Sequence, residues 1–455
     1  MNAVLRALAA GLLPLVVACT SLPSVAPGVA GAPKAPVPVG GAGGALTPSQ
    51  SKAVLGRLAA AAPDTQIFEY HLAREAAVTT SPLTTGNAVR LLQDGPATYA
   101  AMLKAIAGAR DHIHMETFIL DDDEVGRQFV QALVAMQAKG VQVNLIRDSA
   151  GTLGTPAALF AQLTDAGVQV LEFNPLNPLM ARKEWELNRR DHRKLLIVDG
   201  RTAFLGGINI SSVYSGGSAH RHSEANPSWR DTDLQLQGPV VAELQRMFLG
   251  AWASQQGPPL TQRRWFPPAE AAGHLLVRAI GSSPDEPYSQ IYATLLSAIA
   301  SARTSVQITN AYCAPDPQLL AARVAAAARG AAVTLILPGQ TDSWLVFHTG
   351  RGFYDELLRG GVRIFERQGA LLHAKTALVD GVWASVGSTN LDWRSFLHNH
   401  ELNAVVLGRE FGAQVQAMFD RDLAASTGIT LEVWRRRGAV QRLQEWFASW
   451  WEYLL

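Results

Sequence analysis

The sequence is poor in cysteine, in lysine and in excess charge of either sign. Cys19 and Cys313 are its only cysteines in 455 residues, so the chain can form at most one internal disulfide. Lys and Arg number 39 against 38 Asp and Glu, and the resulting net charge of +1 disfavours a protein that binds nucleic acid through a strong positive field. With 48% apolar residues, the chain is long enough for two globular domains.

The N-terminus lacks an apolar run long enough to span a bilayer. The stretch Ala7–Ala18 follows a short basic region, contains Pro14, and falls short of the roughly 20 residues that a transmembrane helix needs. This pattern predicts a secretion signal over residues 1–19. Val16 to Cys19 resemble the lipobox of bacterial lipoproteins, which implies an exported protein lipid-anchored through Cys19 at the periplasmic face of the inner or outer membrane.

The alternative for Cys19 is an ordinary buried cysteine after a cleaved signal. If Cys19 is acylated, Cys313 has no disulfide partner, and we expect it to be a small buried residue.

Composition and periodicity divide the rest of the chain. Residues 20–85 read as a flexible linker, rich in Ala, Pro and Gly up to about residue 48, followed by a helical segment. From residue 86, amphipathic stretches alternate with β-branched runs, and we predict strands at Val141–Ile146, Lys194–Val198 and Val333–Leu337. This alternation predicts an α/β fold.

The central feature is an internal repeat. Tyr99 and residues 105–110 recur as Tyr292 and residues 298–303, and HRKLLIVDG at 192–200 recurs as HAKTALVDG at 373–381. Prolines and glycine near Gln256–Glu270 mark the boundary between the copies. We therefore predict domains at 86–258 and 270–424, followed by an amphipathic helix over 425–455.

Each copy carries a His, a Lys two residues on, and an Asp-Gly pair. The residues are His192, Lys194 and Asp199 in the first copy and His373, Lys375 and Asp380 in the second. Residues two apart on a strand share a face, so each His-Lys pair should present an imidazole and an ammonium to the same pocket.

Both copies continue in the same way after the motif. Seventeen residues after each His lies an Asn, Asn209 in GGIN and Asn390 in GSTN, where a glycine-containing turn lets backbone and amide approach an oxyanion. Ser388 lies in the second turn. A carboxylate follows each Asn, Asp231 and Glu401, and we expect the two carboxylates to orient the imidazoles.

These groups suit phosphodiester transfer without a metal or other cofactor. One neutral imidazole attacks phosphorus, the other donates a proton to the leaving alkoxide, and the covalent intermediate divides one hard step into two. The two lysines and two asparagines then stabilise the negative charge on the phosphoryl oxygens, which is the role of Mg²⁺ in kinases.

The doubled motif resembles the HKD motif of the phospholipase D superfamily. METFIL at 115–120 and WRDTDLQLQGPVV at 229–241 resemble bacterial cardiolipin synthases in particular, and the likeness extends over residues 86–424. The resemblance implies two tandem α/β/α sandwich domains related by pseudo-twofold symmetry, with one active site per monomer between them. It also implies a phosphatidyl-histidine intermediate and phosphatidylglycerol as donor and acceptor. We assign His192 as nucleophile and His373 as acid, and expect Asp199 and Asp380 to hold the fold.

Alternatives stay open at this point. Hydrolysis of phospholipid to phosphatidate is the closest rival, while the low net charge disfavours a nuclease and the intact motifs disfavour a binding protein with a dead site. Cardiolipin synthases are usually anchored by transmembrane helices or bound peripherally at the inner membrane, so a lipid anchor leaves the donor and acceptor open. The insertion Ser211–Arg230 should form a loop near the first motif.

Glu116 and the C-terminal helix each have two interpretations. Glu116 either lines the donor pocket or satisfies a buried hydrogen bond. The C-terminal helix packs one apolar face either on a membrane surface or on the second domain or a partner chain. Three His-x-His pairs are read as surface or supporting residues rather than as metal ligands: His112/His114, His220/His222 and His398/His400.

Overall fold

A computed structural model describes residues 36–180, 186–217, 228–260, 262–314 and 316–452. The predicted signal and Cys19 lie outside the described residues, as do His220 and His222. None of the helices in the described ranges combines the length and the apolar character that a membrane crossing requires.

The chain begins with a small N-terminal segment. Its elements are β1 (Val39–Gly41), β2 (Gly44–Ala45), α1 (Pro48–Ala61), a π-helical turn (Ile67–His71) and α2 (Leu72–Val78). Thr47 caps α1: its hydroxyl accepts from the Gln50 backbone, and Pro48 is already suited to the first helical position.

The first repeat contains nine strands and four helices within the described residues. Its strands are β3 (Leu83–Gln93), β4 (His112–Thr117), β5 (Gln142–Asp148), β6 (Gln169–Phe173), β7 (Arg190–Asp191), β8 (Leu195–Val198), β9 (Thr202–Gly206), β10 (Trp229–Arg230) and β11 (Thr232–Gln237). Its helices are α3 (Asp94–Ala107), α4 (Glu124–Ala138), α5 (Ala157–Asp165) and α6 (Val240–Ser254), with 3₁₀ turns at Pro178–Met180 and Ser212–Tyr214.

The second repeat follows the same order. Its strands are β12 (Leu275–Ser282), β13 (Ser305–Asn310), β14 (Ala332–Pro338), β15 (Arg363–Arg367), β16 (Leu371–Leu372), β17 (Lys375–Val379), β18 (Trp383–Gly387), β19 (Asn399–Leu407) and β20 (Ser426–Ile429). Its helices are α7 (Gln290–Ser301), α8 (Pro317–Ala328), α9 (Trp344–Gly352), α10 (Tyr354–Arg359), α11 (Trp393–Leu397), α12 (Arg409–Ala424), α13 (Leu431–Arg435) and α14 (Ala439–Ser449). The three strands predicted from β-branched runs correspond to β5, β8 and β14.

The two repeats share one mixed sheet. The first repeat contributes the order β6-β5-β4-β8-β9-β11-β3, and the second contributes β12-β19-β18-β17-β13-β14-β15-β20. Antiparallel pairing of β3 with β12 joins the halves. Equivalent strands therefore lie at mirrored positions in the order, as the predicted pseudo-twofold symmetry requires.

The pairing of strands places both motifs at corresponding sheet edges. In the first repeat β4, β5 and β6 are parallel, and antiparallel β8 starts where β4 ends, with Leu195 opposite Glu116. In the second repeat β17 starts opposite the end of β13, with Lys375 opposite Asn310. Each His-Lys pair consequently lies at the carboxyl ends of parallel strands, where α/β folds place their ligands.

The N-terminal helices pack on the second repeat rather than on the first, which follows them in sequence. Glu75 of α2 is fully buried, lies 2.6 Å from Arg278 Nε, and accepts a hydrogen bond from the Trp383 indole at 3.1 Å. Arg278 holds the pKa of Glu75 down to about 2, although burial acts in the opposite direction. The helical part of the predicted segment 20–85 is thus an integral layer of the second half.

The C-terminal region differs from the single helix expected over 425–455. β20 pairs with β15, because Thr427 and Ile429 suit an added edge strand, and the short helix α13 then follows. Gly438 has an extended conformation and separates α13 from α14. Helical periodicity therefore holds only from Ala439 onward.

Candidate active site

Short strand pairs cross between the repeats at the entrance to each motif. β7, which precedes His192, pairs with the start of β19 in the second repeat, and the His192 amide donates to the His400 carbonyl at 3.0 Å. β16, which precedes His373, pairs with β10 in the first repeat, and the His373 amide donates to the Arg230 carbonyl at 2.8 Å. Each motif histidine is therefore fixed to the strand that carries the carboxylate of the other repeat.

The first imidazole is held by a carboxylate from the second half. His192 Nδ1 lies 3.0 and 3.1 Å from the two carboxylate oxygens of Glu401. Ser388 donates its hydroxyl hydrogen to the same fully buried carboxylate. His192 and Ser388 act with Lys194 to keep the pKa of Glu401 below its usual value against the effect of burial. With Nδ1 on the carboxylate, Nε2 is the ring nitrogen that can reach phosphorus.

The second imidazole has the reciprocal arrangement. His373 Nδ1 lies 2.7 Å from Asp231 Oδ2, and the carboxylate is fully buried. Burial raises the pKa of Asp231 to about 6. Gly207 faces this carboxylate at the position equivalent to Ser388, and a Cβ there would collide with Asp231. The glycine of GGIN thus leaves room for the carboxylate, whereas the serine of GSTN donates a hydrogen bond to its counterpart.

Both motif lysines are buried in the same site. Lys194 donates to the carbonyl of His192 and Lys375 to that of His373, and Lys375 Nζ also lies 2.9 Å from His373 Nδ1. Burial lowers the pKa of Lys194 to about 7 and that of Lys375 to about 8, and Lys375 contributes to the shift of Lys194. The carboxylates of Glu401 and Asp231 offset part of this effect, and a phosphate oxygen would add further counter-charge.

The imidazoles are poised in the neutral form. Burial is the main cause that lowers the pKa of His192, and Lys194 and Lys375 add to it. The pKa of His373 lies well below its usual value for the same reasons, with His192 as a further contributor. Residues of both motifs are therefore close enough to influence one another electrostatically.

The two asparagines differ in their surroundings. The Asn209 side chain accepts a hydrogen bond from the Ile119 amide at 3.1 Å and donates one to the Tyr214 hydroxyl at 3.1 Å, so it connects these two segments of the protein. The Asn390 side-chain oxygen is buried and has no hydrogen-bond partner among the described residues. Of these two side chains, only that of Asn390 therefore has an unsatisfied polar atom among the described residues, and this atom is a hydrogen-bond acceptor.

Aromatic rings surround His373 in a way the motif spacing did not predict. The rings of Trp229, Tyr214 and Tyr312 lie 5.0, 5.8 and 6.0 Å from the His373 ring, and the Tyr214 hydroxyl lies 3.3 Å from its Nδ1. Tyr214 and Trp229 belong to the insertion 211–230, which was expected beside the first motif. Its described ends reach both motifs, since the Tyr214 hydroxyl accepts from Asn209 while the Tyr214 and Trp229 rings pack against His373.

Comparison with known proteins identifies the fold and the family. The family model for the phospholipase D-like domain of cardiolipin synthase matches residues 102–252 and 295–423, one match in each repeat. The chain belongs to this cardiolipin synthase family. It is 37% identical over 368 residues to cardiolipin synthase A of Pseudomonas putida, covering 80% of this chain and 73% of that protein.

A second curated relative and a solved structure are also similar to this family member. A cardiolipin synthase of Alkalihalophilus pseudofirmus is 32% identical, covering 80% of this chain and 72% of that protein. Among solved structures, phosphatidylserine synthase of Haemophilus influenzae aligns with a TM-score of 0.59 at 13% identity, over 81% of this chain and 95% of that one. This structural likeness concerns the fold alone, and it confirms the predicted two-repeat α/β architecture.

The motif aspartates of this family member accept hydrogen bonds from backbone amides. Asp199 accepts from the amides of Arg110, Asp111 and His112, and Asp380 accepts from those of residues 303–305. Both aspartates have positive φ, 54° and 51°, in the turn that ends β8 or β17. Asp199 thus binds the start of β4 to the end of β8, and Asp380 binds the start of β13 to the end of β17. Both contacts lie at the ends of β8 and β17 that are remote from the histidines.

Glu116 is paired within the protein. It is fully buried, and its Oε1 lies 2.7 Å from Arg193 Nη2, while Arg193 Nε also donates to Asp191 at 2.9 Å. Arg193 stands between His192 and Lys194 and points to the other face of the strand, because side chains alternate. This geometry favours the buried-contact interpretation of Glu116 over the donor-pocket one.

The described His-x-His pairs have structural contacts. His114 Nδ1 lies 2.6 Å from Gln245 Nε2, and its ring stacks on Phe248. The carbonyls of His398 and His400 accept from β7 and the first motif. Within the described residues, no group of three or more His, Cys, Asp or Glu side chains is arranged to hold a metal ion. Cys313 is buried, as predicted.

Proposed function

We propose that the protein is a phosphatidyltransferase that makes cardiolipin from two phosphatidylglycerol molecules through a phosphohistidine intermediate. The observation that carries the proposal is the reciprocal pair of His-carboxylate contacts, His192 with Glu401 and His373 with Asp231, beside two buried lysines. Membership of the cardiolipin synthase family supports the substrate class.

In the first half-reaction His192 is the nucleophile. Its Nε2 forms a bond to the phosphorus of the donor, and the bond from phosphorus to the head-group glycerol oxygen breaks. His373, protonated in the substrate complex, gives its proton to that oxygen, and glycerol leaves. The negative phosphate favours this protonation because it offsets the positive field of Lys194 and Lys375 that otherwise lowers the pKa of His373.

The second half-reaction reverses these roles. Neutral His373 takes the proton from a glycerol hydroxyl of the second phosphatidylglycerol, whose oxygen then bonds to phosphorus as the phosphorus–nitrogen bond breaks. Glu401 stabilises the cationic form of His192 while it carries the phosphatidyl group. Lys194 and Lys375 stabilise charge on the phosphoryl oxygens, and Asn390 assists through the N–H donors of its side-chain amide.

The proposal includes the location and boundaries of the enzyme. Residues 1–19 serve as a lipoprotein signal, acylated Cys19 anchors the chain to a bacterial membrane on the periplasmic face, and the domains extend over 86–258 and 270–424. The lipobox-like sequence from Val16 to Cys19 supports this, and several acyl chains on one cysteine would give stable anchoring where one chain gives only marginal binding.

The test is product analysis with purified full-length protein and phosphatidylglycerol whose head-group glycerol carries ¹³C. Transfer yields cardiolipin and one labelled glycerol per turnover, measured by mass spectrometry. Phosphatidate and glycerol without cardiolipin would establish hydrolysis and overturn the transferase proposal. Single variants His192→Ala and His373→Ala are the controls, and both should lose all products.

A further inference from the structure

Helix α14 presents its apolar face to solvent. The exposed fractions along this face range from 43% to 71%, for the residues Val440, Leu443, Trp446, Phe447, Trp450 and Trp451. Spacings of three and four residues place them on one stripe of the helix. We call this stripe the α14 apolar face.

The opposite side of α14 makes the contacts with the protein. Glu445 and Ala448 are buried, the Thr349 hydroxyl of α9 donates to the Ala448 carbonyl at 2.9 Å, and Arg437 donates to Glu445 at 2.8 Å. A surface helix of a water-soluble domain normally buries its apolar stripe and exposes its polar one. In α14 this orientation is inverted, so the apolar face is left for another partner.

The helix is connected to the catalytic site at two points. Trp393 lies three residues after Asn390, and its indole donates to Glu452 just beyond α14 at 3.4 Å. Helix α9, on which α14 packs, begins at Trp344 shortly after Asp342, which accepts from the hydroxyl of Tyr312 at 2.6 Å. Tyr312 in turn contacts the His373 ring. The apolar face is therefore adjacent to the half of the site that holds His373.

Other exposed apolar side chains occur at the same edge of the sheet. They lie in the connections that follow the parallel strands β5, β6 and β14, whose carboxyl ends face the motifs; Leu179 and Met180 are in a 3₁₀ turn, and Trp344 is the first residue of α9. Their exposed fractions are 73%, 95%, 54%, 60% and 46% for Leu153, Leu179, Met180, Leu187 and Trp344. Contiguous exposed apolar surface around a site marks a contact with another molecule or a membrane.

The charges near the α14 apolar face are mainly basic. Arg435, Arg436 and Arg442 are exposed in or next to α14; Arg435 lies 3.8 Å from Asp355 and Arg436 pairs with Glu432, and contacts this exposed contribute little. Tryptophan and arginine together are typical of helices that lie in the interface of a bilayer, with the rings among the acyl chains and the guanidinium groups at anionic head groups.

We propose that the α14 apolar face, with the loops at the catalytic edge, docks the enzyme on the surface of a bilayer that contains anionic phospholipid. The helix then lies in the membrane plane and the catalytic edge faces the head groups. The binding of the enzyme to the bilayer does not depend on catalysis. Only the further statement that the docked enzyme uses the lipid as its substrate rests on the proposed function.

The experiment measures co-sedimentation of the full chain with vesicles of phosphatidylcholine and phosphatidylglycerol in equal parts, and with phosphatidylcholine alone. All proteins carry Cys19→Ser, so that acylation does not contribute. We expect Trp446→Glu/Trp450→Glu to weaken partition into the anionic vesicles on the order of tenfold or more, because the face can no longer bury its rings. Phe266→Glu is the matched control: Phe266 is 45% exposed but lies beside Gly200, at the sheet edge remote from the motifs.

A second measurement leaves the apolar face nearly intact. With Cys19 replaced and Cys313 buried, Leu443→Cys provides one accessible thiol for an environment-sensitive dye, and Phe266→Cys provides the control. The dye at position 443 should shift to the blue when anionic vesicles are added, and the dye at 266 should not. Thermal unfolding checks that the double variant is folded.

Two results would overturn the docking surface. The first is equal vesicle binding by the parent and the double variant, with no dye shift at position 443. The second is a change of self-association in sedimentation velocity without a change in vesicle binding, which would make the face a contact between two copies. Docking without cardiolipin formation would instead overturn the proposed function alone, and cardiolipin synthesis in micelles without vesicle docking would overturn this inference alone.

Discussion

Glu401 lies 3.0 Å from Nδ1 of His192, although the two residues belong to different repeats. Asp231 stands in the same relation to His373, at 2.7 Å and in the opposite direction along the chain. Duplication has therefore produced one site in which each half orients the histidine of the other. Among the described residues, neither motif histidine is paired with a carboxylate of its own repeat, so separation of the halves would dismantle both pairs.

The carboxylates should act through the imidazoles. Glu401→Gln and Asp231→Asn remove the charge that fixes the tautomer and stabilises the imidazolium, and we expect kcat to fall on the order of 10²-fold or more. The pH profile should move as well, because the pKa of the affected histidine falls further. Ser388→Ala, which removes only one hydrogen bond to Glu401, should cost on the order of tenfold or less in kcat. Equal losses in Ser388→Ala and Glu401→Gln would contradict this order.

The assignment of nucleophile and acid can be tested by trapping the intermediate. With a phosphodiester whose leaving group is p-nitrophenol, departure needs no acid, so His373→Ala should still form the phosphohistidine. It should then stall, because no base activates the acceptor. Intact-protein mass spectrometry should find the adduct in His373→Ala and not in His192→Ala. The reverse pattern would exchange the two roles.

Binding of phosphate should weaken as the pH rises. Burial lowers the pKa of Lys194 to about 7 and that of Lys375 to about 8, so the cationic forms that attract an anion predominate below these values and are lost above them. The Kd of dimethyl phosphate, a phosphodiester whose single negative charge is constant over this range, should increase from pH 6 to pH 9 when it is measured by calorimetry. Lys194→Arg stays charged over this range and should flatten the lower part of the curve. A Kd for the parent that does not change with pH would contradict these pKa values.

The motif aspartates should affect stability rather than chemistry. Asp199 accepts three backbone amide hydrogen bonds from residues 110–112, and Asp199→Ala leaves those amides without that partner. We expect a loss of about 3 kcal/mol in the free energy of unfolding, measured by urea denaturation. Asp199→Asn keeps the left-handed turn and one acceptor, so it should lose less. A variant that unfolds like the parent but turns over slowly would point to a direct role.

Local sequence patterns predicted much of the architecture and of the candidate site. The repeat of His, Lys, Asp and Asn at equal spacing determined the doubled architecture, since two copies of a strand-turn-strand unit must fold alike. Strand alternation, applied from each histidine onward, predicted His192 with Lys194 and His373 with Lys375 on common faces, because side chains two apart in a strand point the same way. Composition also predicted the burial of Cys313.

Contacts between distant segments were decided by the tertiary structure alone. Periodicity tells which side of a strand or helix is apolar, but not which element covers it. The crossed pairs of His192 with Glu401 and His373 with Asp231 depend on how β7 meets β19 and β10 meets β16, and the outward apolar face of α14 depends on how that helix packs on α9. The sequence by itself determined the residues of the site and their duplication; only the folded chain determined which residue serves which histidine, because that choice is made by strands far apart in sequence.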